Sequence, residues 1–311
     1  MNDHTPERRP AGQDPAGAAG TSGDDFLAAR FEEHRERLRA VAYRMLGSTA
    51  EADDAVQESW LRVSRAGTDE VENLGGWLTT IVSRVCLNML RSRTQRQEDP
   101  LDVRVPDPVI SKPEGENPED EAVLADSVGL ALLVVLETLS PAERLAFVLH
   151  DLFAVPFDEI APVVGRTPAA TRQLASRARR RVQGTPAPEA DVTRQRAVVN
   201  AFLAAARGGD FEGLIAVLDP EVVVRSDSGG SRPVEFVRGA ERVARNAITY
   251  SRIAASVRPA LVNGTAGFVS LAPDGSPFSV MAFTVREGRI VEIDALTGDR
   301  LRNLDLTELD A

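Results

Sequence analysis

The segment 98–126 constrains this chain more than any other. It carries Pro100, Pro106, Pro108, Pro113 and Pro118. Proline lacks a backbone donor and clashes with the preceding turn, so no long regular element runs through it. Its acids are Glu98, Asp99, Asp102, Asp107, Glu114, Glu116, Glu119, Asp120, Glu121 and Asp126, against only Arg104 and Lys112. Like charges keep such a stretch extended. An acidic linker over 98–130 therefore divides the chain into an N-terminal and a C-terminal part. With 311 residues, the prior of roughly 150 residues per domain already asks for about two domains.

Residues 1–24 are rich in Pro, Gly, Ala and Asp and nearly devoid of large apolar side chains, so they read as a disordered tail. Over 25–97 the pattern is helical. Phe26, Phe31, Leu38, Val41, Met45 and Leu46 recur at helical spacing, and Gly47-Ser48 ends that helix. A second helix, 51–65, starts acidic, which suits the positive end of its dipole. After a polar loop over 66–76, a third helix, 77–93, repeats Trp77, Ile81, Val85 and Met89 every four residues.

Helices return over 131–185. Ser140-Pro141-Ala142-Glu143 is a capping box opening a helix to about residue 152. A short helix over 157–164 comes next, then the turn Gly165-Arg166-Thr167-Pro168 and a basic helix, 168–182. This is the layout of a helix-turn-helix. The last domain, 191–296, begins with two helices and continues as strand-like runs at 222–224, 268–271, 278–285 and 290–293. The turns at 273–276 and 286–289 read as hairpins. Helices followed by an antiparallel sheet make an α+β pattern, closed by a short tail over 297–311 that could be helical.

The formal net charge of −11 excludes a uniformly basic nucleic-acid coat but leaves room for a local basic patch. The single cysteine, Cys86, excludes a disulfide framework and a cysteine-rich zinc site and reads as a packed helix residue. His4, His34 and His150 are too scattered to suggest a metal cluster, and no cofactor is expected. No apolar run reaches the roughly 18 residues of a membrane span. The N-terminus lacks the apolar core of a secretory leader. A cytoplasmic protein with no membrane partner is the expectation.

The helix 168–182 carries the sharpest signal. Arg172, Arg177, Arg179, Arg180 and Arg181 lie on it with no acid between Arg166 and Pro188. Ala170, Leu174 and Ala178 recur every four residues and are the expected buried stripe. Arg172, Gln173, Ser176, Arg177 and Arg180 then face outward, with Thr167 and Ala169 at the helix start. Such a helix fits the major groove, where arginine pairs with guanine and glutamine with adenine. A merely solvated basic helix end gives the same residues.

In its motifs the chain resembles a known family. Residues 42–47 (Ala-Tyr-Arg-Met-Leu-Gly), 51–58 (Glu-Ala-Asp-Asp-Ala-Val-Gln-Glu), 77–84 (Trp-Leu-Thr-Thr-Ile-Val-Ser-Arg) and 139–144 (Leu-Ser-Pro-Ala-Glu-Arg) are similar to regions 2 and 4 of extracytoplasmic-function sigma factors. The resemblance implies a non-enzymatic subunit that binds core RNA polymerase and directs initiation at specific promoters. Asp53, Asp54, Gln57 and Glu58 match the positions that dock on the β′ clamp helices, with region 4 near the β flap. Asn73, Trp77, Arg84, Asn88 and Arg91 become candidates for the minus-10 element, with Trp77 also a core residue on its spacing. The helix at 168–182 would read the minus-35 element.

The domain 191–296 resembles the SnoaL-like, NTF2-like α+β cone carried by a subgroup of these factors. Three segments resemble that subgroup's motifs. Residues 104–109 (Arg-Val-Pro-Asp-Pro-Val) match a Leu-Pro-Glu-Pro motif, and 226–231 match Asp-Gly-Gly-Gly-Lys with Ser228 and Ser231 as departures. Residues 297–301 match an Asn-Pro-Asp-Lys-Leu tail. Asp227, Gly229, Gly230, Asp299, Arg300 and Leu301 are therefore regulatory candidates, and the cone would modulate the helical domains in cis. It could also hold a small-molecule ligand. Two other readings stay open: a ligand-responsive helix-turn-helix repressor, and a SnoaL-type cyclase or isomerase with a DNA-binding arm. The second needs a catalytic acid, and Asp219, Asp227 and Asp294 are the aspartates available.

Overall fold

The computed structural model describes residues 27–66, 73–95, 104–113, 129–184, 189–230, 232–304 and 306. The tail 1–24, most of the linker, the loop 67–72 and Ser231 lie outside these.

The first helical unit opens with a helical stretch over 27–32 and contains α1 (Arg35–Leu46), α2 (Thr49–Ala66) and α3 (Leu74–Gln95). Every residue of α1 from Ala40 to Leu46 is buried. A helix buried all round must be covered on every side. Here α2 and α3 cover one side, and the second helical unit and the linker cover the other.

That second unit contains α4 (Leu130–Glu137), α5 (Pro141–Phe147), α6 (Phe157–Val164) and α7 (Pro168–Val182). The capping box forms as expected: the Ser140 hydroxyl caps the Glu143 amide while the Glu143 carboxylate accepts from the Ser140 amide. The helix expected to reach residue 152 does so with a change of winding, because Val148–Leu152 is a π turn. This wider turn carries the chain into the Phe153–Pro156 corner, where Ala154 has a φ of 56°.

The third unit comprises α8 (Val192–Gly208), α9 (Phe211–Val217), α10 (Ala240–Ser251) and a curved sheet. Its strands are β1 (Ile110–Ser111), β2 (Leu218–Asp227), β3 (Glu235–Arg238), β4 (Ser256–Val262), β5 (Thr265–Leu271), β6 (Pro277–Arg286) and β7 (Arg289–Thr297). Their order is β1-β4-β5-β6-β7-β2-β3, antiparallel except for the β2–β7 pair. The hairpins at 273–276 and 286–289 connect β5 to β6 and β6 to β7. The closing tail forms a 3-10 turn, Gly298–Asn303.

One strand comes from the linker. Ile110 and Ser111 pair with Val262 and Leu261, so the extended acidic segment adds an edge strand to the cone. Composition and hydropathy alone keep linker and sheet apart. The two sheet faces serve different cores. The concave face packs Phe268, Phe283 and Ile293 against Val199 and Phe202 of α8. The convex face adds Val262, Val269, Val280 and Leu296 to one apolar cluster shared with both helical units.

Candidate nucleic-acid and polymerase interfaces

Helix α7 is set by its two ends. Gly165 has a φ of 70° and an ideal Cβ there would meet nothing, so the left-handed turn alone asks for glycine. Thr167 then caps α7, its hydroxyl accepting from the Ala170 amide at 3.2 Å. The buried stripe differs from the expected one. Thr171, Ala175 and Ala178 are buried, whereas Ala170 and Leu174 are half-buried. Thr171 can go inside because its hydroxyl donates to the Thr167 carbonyl at 3.0 Å. A reading by polarity alone puts it outside.

Thr167, Ala169, Arg172, Gln173, Ser176, Arg177 and Arg180 are all exposed on α7. The Arg172 guanidinium lies 5.6 Å from the centre of the Phe157 ring, itself stacked at 3.8 Å on His150. Among the described residues Arg180 bonds only along its own helix, Nε to the Ser176 carbonyl at 3.4 Å. Arg177 has no hydrogen bond or ion pair among the described residues. Arg179 and Arg181 turn back onto the fold. Arg179 pairs with Asp151 at 2.5 Å, and Arg181 donates to the Thr138 carbonyl at 3.1 Å. The basic run thus divides into groups that hold the helix and groups that project from it.

On α2, Asp53, Asp54, Gln57 and Glu58 are exposed together. Asp53 pairs with Arg39 at 2.6 Å and Glu58 with Arg62 at 2.9 Å. Leu61, four residues beyond Gln57, extends this face and is 42% exposed.

On α3, Arg84, Asn88 and Arg91 are exposed at i, i+4 and i+7, and so share one face. Asn73 caps the helix, accepting from the Gly76 amide at 3.0 Å. Trp77 is half-buried against the shared core. Burial pushes the Cys86 thiol up to about 12, so it stays a packed thiol and not a thiolate.

The six regulatory candidates converge with the linker. Buried Asp227 accepts from the Val105 amide at 3.2 Å and from Gly229 at 2.9 Å. Arg300 pairs with Asp107 at 2.9 Å and with Asp227 at 3.2 Å, and donates to the Val105 carbonyl. Gly229, at φ 74°, sits where a Cβ would come within 3.2 Å of the Arg300 backbone nitrogen. The Gly230 site lies 3.7 Å from the Asp299 carboxylate, and the Asp299 amide donates to the Ser228 carbonyl at 3.1 Å. Leu301 packs on the shared core.

Two further partners of this latch, Tyr43 and Asn263, are not among the regulatory candidates. The Tyr43 hydroxyl donates to the Asp107 carbonyl at 2.7 Å and accepts from the Asn263 side chain at 2.9 Å. Asn263 also accepts from the Val109 amide at 3.0 Å. Burial raises the Tyr43 pKa well above its ordinary value, so the hydroxyl keeps its proton to donate. Asn263-Gly264, with φ of 51° and 72°, forms the β4–β5 turn. An Asn-Gly pair is itself a strong hairpin signal and marks this place in the sequence.

The aspartates considered for catalysis face elsewhere than the cone interior. Asp219 accepts from the Glu221 amide at 2.8 Å, Asp227 holds the linker, and Asp294 pairs with Arg225 at 2.6 Å.

With this geometry in view, comparison with known proteins places the chain. Residues 30–96 match the model for Sigma-70 region 2, and 129–182 match that for Sigma-70, region 4. The chain belongs to the extracytoplasmic-function RNA polymerase sigma factors, which are not enzymes. It is 38% identical to the ECF RNA polymerase sigma factor SigJ of Mycobacterium tuberculosis, over 88% of this chain and 94% of that one. It is 34% identical to the probable factor SigI of the same organism, over 88% and 94% respectively. The SigJ crystal structure superposes with a TM-score of 0.73 at 35% identity, covering 89% of this chain and 98% of the other.

Proposed function

We propose that this sigma factor reads its promoter through Thr167, Ala169, Arg172, Gln173, Ser176, Arg177 and Arg180 at the minus-35 element. Asn73, Trp77, Arg84, Asn88 and Arg91 act at the minus-10 element. Asp53, Asp54, Gln57 and Glu58, continued by Leu61, dock on the β′ clamp helices of core polymerase, with region 4 at the β flap. This places the protein in the cytoplasm, where the polymerase works. The division is 25–97 for region 2, 98–130 for the linker, 131–185 for region 4 and 191–296 for the cone. The observation carrying this reading is the exposed, acid-free face of α7 in a chain of this family.

The cone modulates the factor in cis. Elements named minus-10 and minus-35 lie about 25 base pairs apart, roughly 85 Å of duplex at about 3.4 Å per step. Yet the two helical units touch: Arg144 donates to the Met45 carbonyl at 2.8 Å. Promoter engagement therefore requires them to separate, and the latch at Asp227 and Arg300 holds the linker that must pay out. Asp299, Leu301, Gly229 and Gly230 shape that latch. The cone interior is a ligand site. Run-off transcription with purified core polymerase tests the central reading. The full chain should direct initiation at a selected promoter, and Arg172→Ala with Arg177→Ala should abolish it. Equal initiation with and without the protein refutes it.

A further inference from the structure

The concave face of the cone encloses a cavity of about 170 Å³ between the sheet and helices α8 and α10. Its walls are apolar, built by Phe202, Val224, Phe268, Met281 and Ile293. An apolar cavity of about 150 Å³ accommodates a benzene ring and otherwise stays dry. The two lining phenylalanines, Phe202 and Phe268, each pack on the ring of Phe283, with centres 5.4 Å and 5.3 Å apart. Such walls favour another ring, through edge and offset contacts.

Among the described residues, the interior lining carries no charge. The charged lining residues, Arg207 and Glu235, are both exposed and stand at the rim. Arg225 lies on the opposite sheet face, bound to Asp294 and Glu292. A carboxylate entering the cavity would lose its hydration and meet no buried cation. The interior does offer hydroxyls. Ser226 and Thr297 line it from the ends of β2 and β7, and neither side chain hydrogen-bonds to a described residue. The next residues along these strands are Asp227, which grips the linker, and Gly298, which leads to Arg300.

We infer that the cone binds an uncharged aromatic molecule bearing a hydroxyl or carbonyl group, its ring among Phe202, Phe268 and Met281 and its polar group at Ser226 and Thr297. This rests on the reading of the cone as a ligand module and names the ligand's chemistry. The polar end of the site lies one residue from the latch, so an occupant sits beneath the contact that retains the linker.

The test uses the full chain with methyl-labelled methionine, titrated with 2-naphthol, naphthalene and 2-naphthoate. Met281 lines the cavity, whereas Met45 and Met89 belong to the helical units. With 2-naphthol, the Met281 methyl should shift saturably while Met45 and Met89 stay still. Affinity for 2-naphthoate should be at least tenfold weaker. Ala247→Leu, on the α10 wall, should weaken 2-naphthol binding at least tenfold. Ser226→Ala with Thr297→Val should weaken 2-naphthol several-fold and leave naphthalene unchanged. An unmoved Met281, equal affinity for 2-naphthoate, or a double variant that treats both neutral probes alike overturns the inference. Co-elution with core polymerase is measured on the same protein without probe. Its failure counts against the sigma reading and leaves the cavity result standing.

Discussion

Arginine plays two opposite parts in this molecule. On α7, Arg172, Arg177 and Arg180 project into solvent with few partners. Arg144 at the seam between the helical units and Arg225 within the cone are buried, and Arg300 is enclosed against the linker, each bound to carboxylates. An exposed guanidinium keeps its hydration and its five donors for an incoming phosphate or base edge. A buried one has exchanged water for fixed carboxylates and carbonyls, and it holds only while all of them remain. The difference is one of surroundings, so substitution should have opposite readouts in the two sets.

The largest effect is expected at Arg144, which is 2% exposed. It bonds the Glu137 carboxylate and the Met45 carbonyl, both at 2.8 Å, and so joins region 4 to region 2. Arg144→Ala leaves both without that donor and should cost about 3–5 kcal/mol, read by urea denaturation. A loss under about 1 kcal/mol would erase the distinction between seam and surface arginines. Arg300→Ala comes next. It strips Asp107 and Asp227 of their shared cation, and the linker should loosen without general unfolding. Hydrogen exchange at the Val105 and Asp107 amides should accelerate while amides inside α1 keep their protection. Unchanged exchange at Val105 would remove Arg300 from the latch.

The exposed set should behave the other way. Arg177→Ala should alter folding stability by less than about 0.5 kcal/mol, as surface changes usually do. It should weaken binding of the holoenzyme to its promoter by about 1–3 kcal/mol, with relaxed preference at one base pair. A uniform loss across sequences, with a shallower salt slope, would make Arg177 a phosphate contact instead.

Much of this organisation is legible in the residues. The capping box at Ser140, the Gly165 turn and the Thr167 cap are local devices, and local devices show in sequence. The exposed face of α7 emerges once the helix is placed. Its exact phase does not, because Thr171 is buried through a hydrogen bond to its own helix that polarity conceals. The strand Ile110–Ser111 depends on a partner about 150 residues away, so nothing near it announces pairing. β4 carries Arg258 and Pro259 among its apolar residues and pairs there with β5, which blurs the alternation that would have marked it. Arg225 and Arg300 are hidden for the same reason: their carboxylates lie far along the chain, as Asp107 does from Arg300 and Asp294 from Arg225.

The smallest effect concerns that last cluster. Burial lifts the Glu292 carboxyl above its ordinary 4.5, and the Arg225 charge, shared with Asp294, offsets this only in part. Burial also works against the charge on Arg225, but the two carboxylates outweigh it and hold its pKa above the ordinary value. The folded chain therefore keeps a proton on Glu292 at a pH where the unfolded chain has released it. Its contribution is full below 4.5 and is lost as pH rises through the higher folded value. Glu292→Gln removes that titration. The variant's urea midpoint should fall less than the parent's between pH 4.5 and the raised value, and the two profiles should run parallel above it. A steeper fall in the variant would mean that Arg225 governs Glu292 more strongly than burial does.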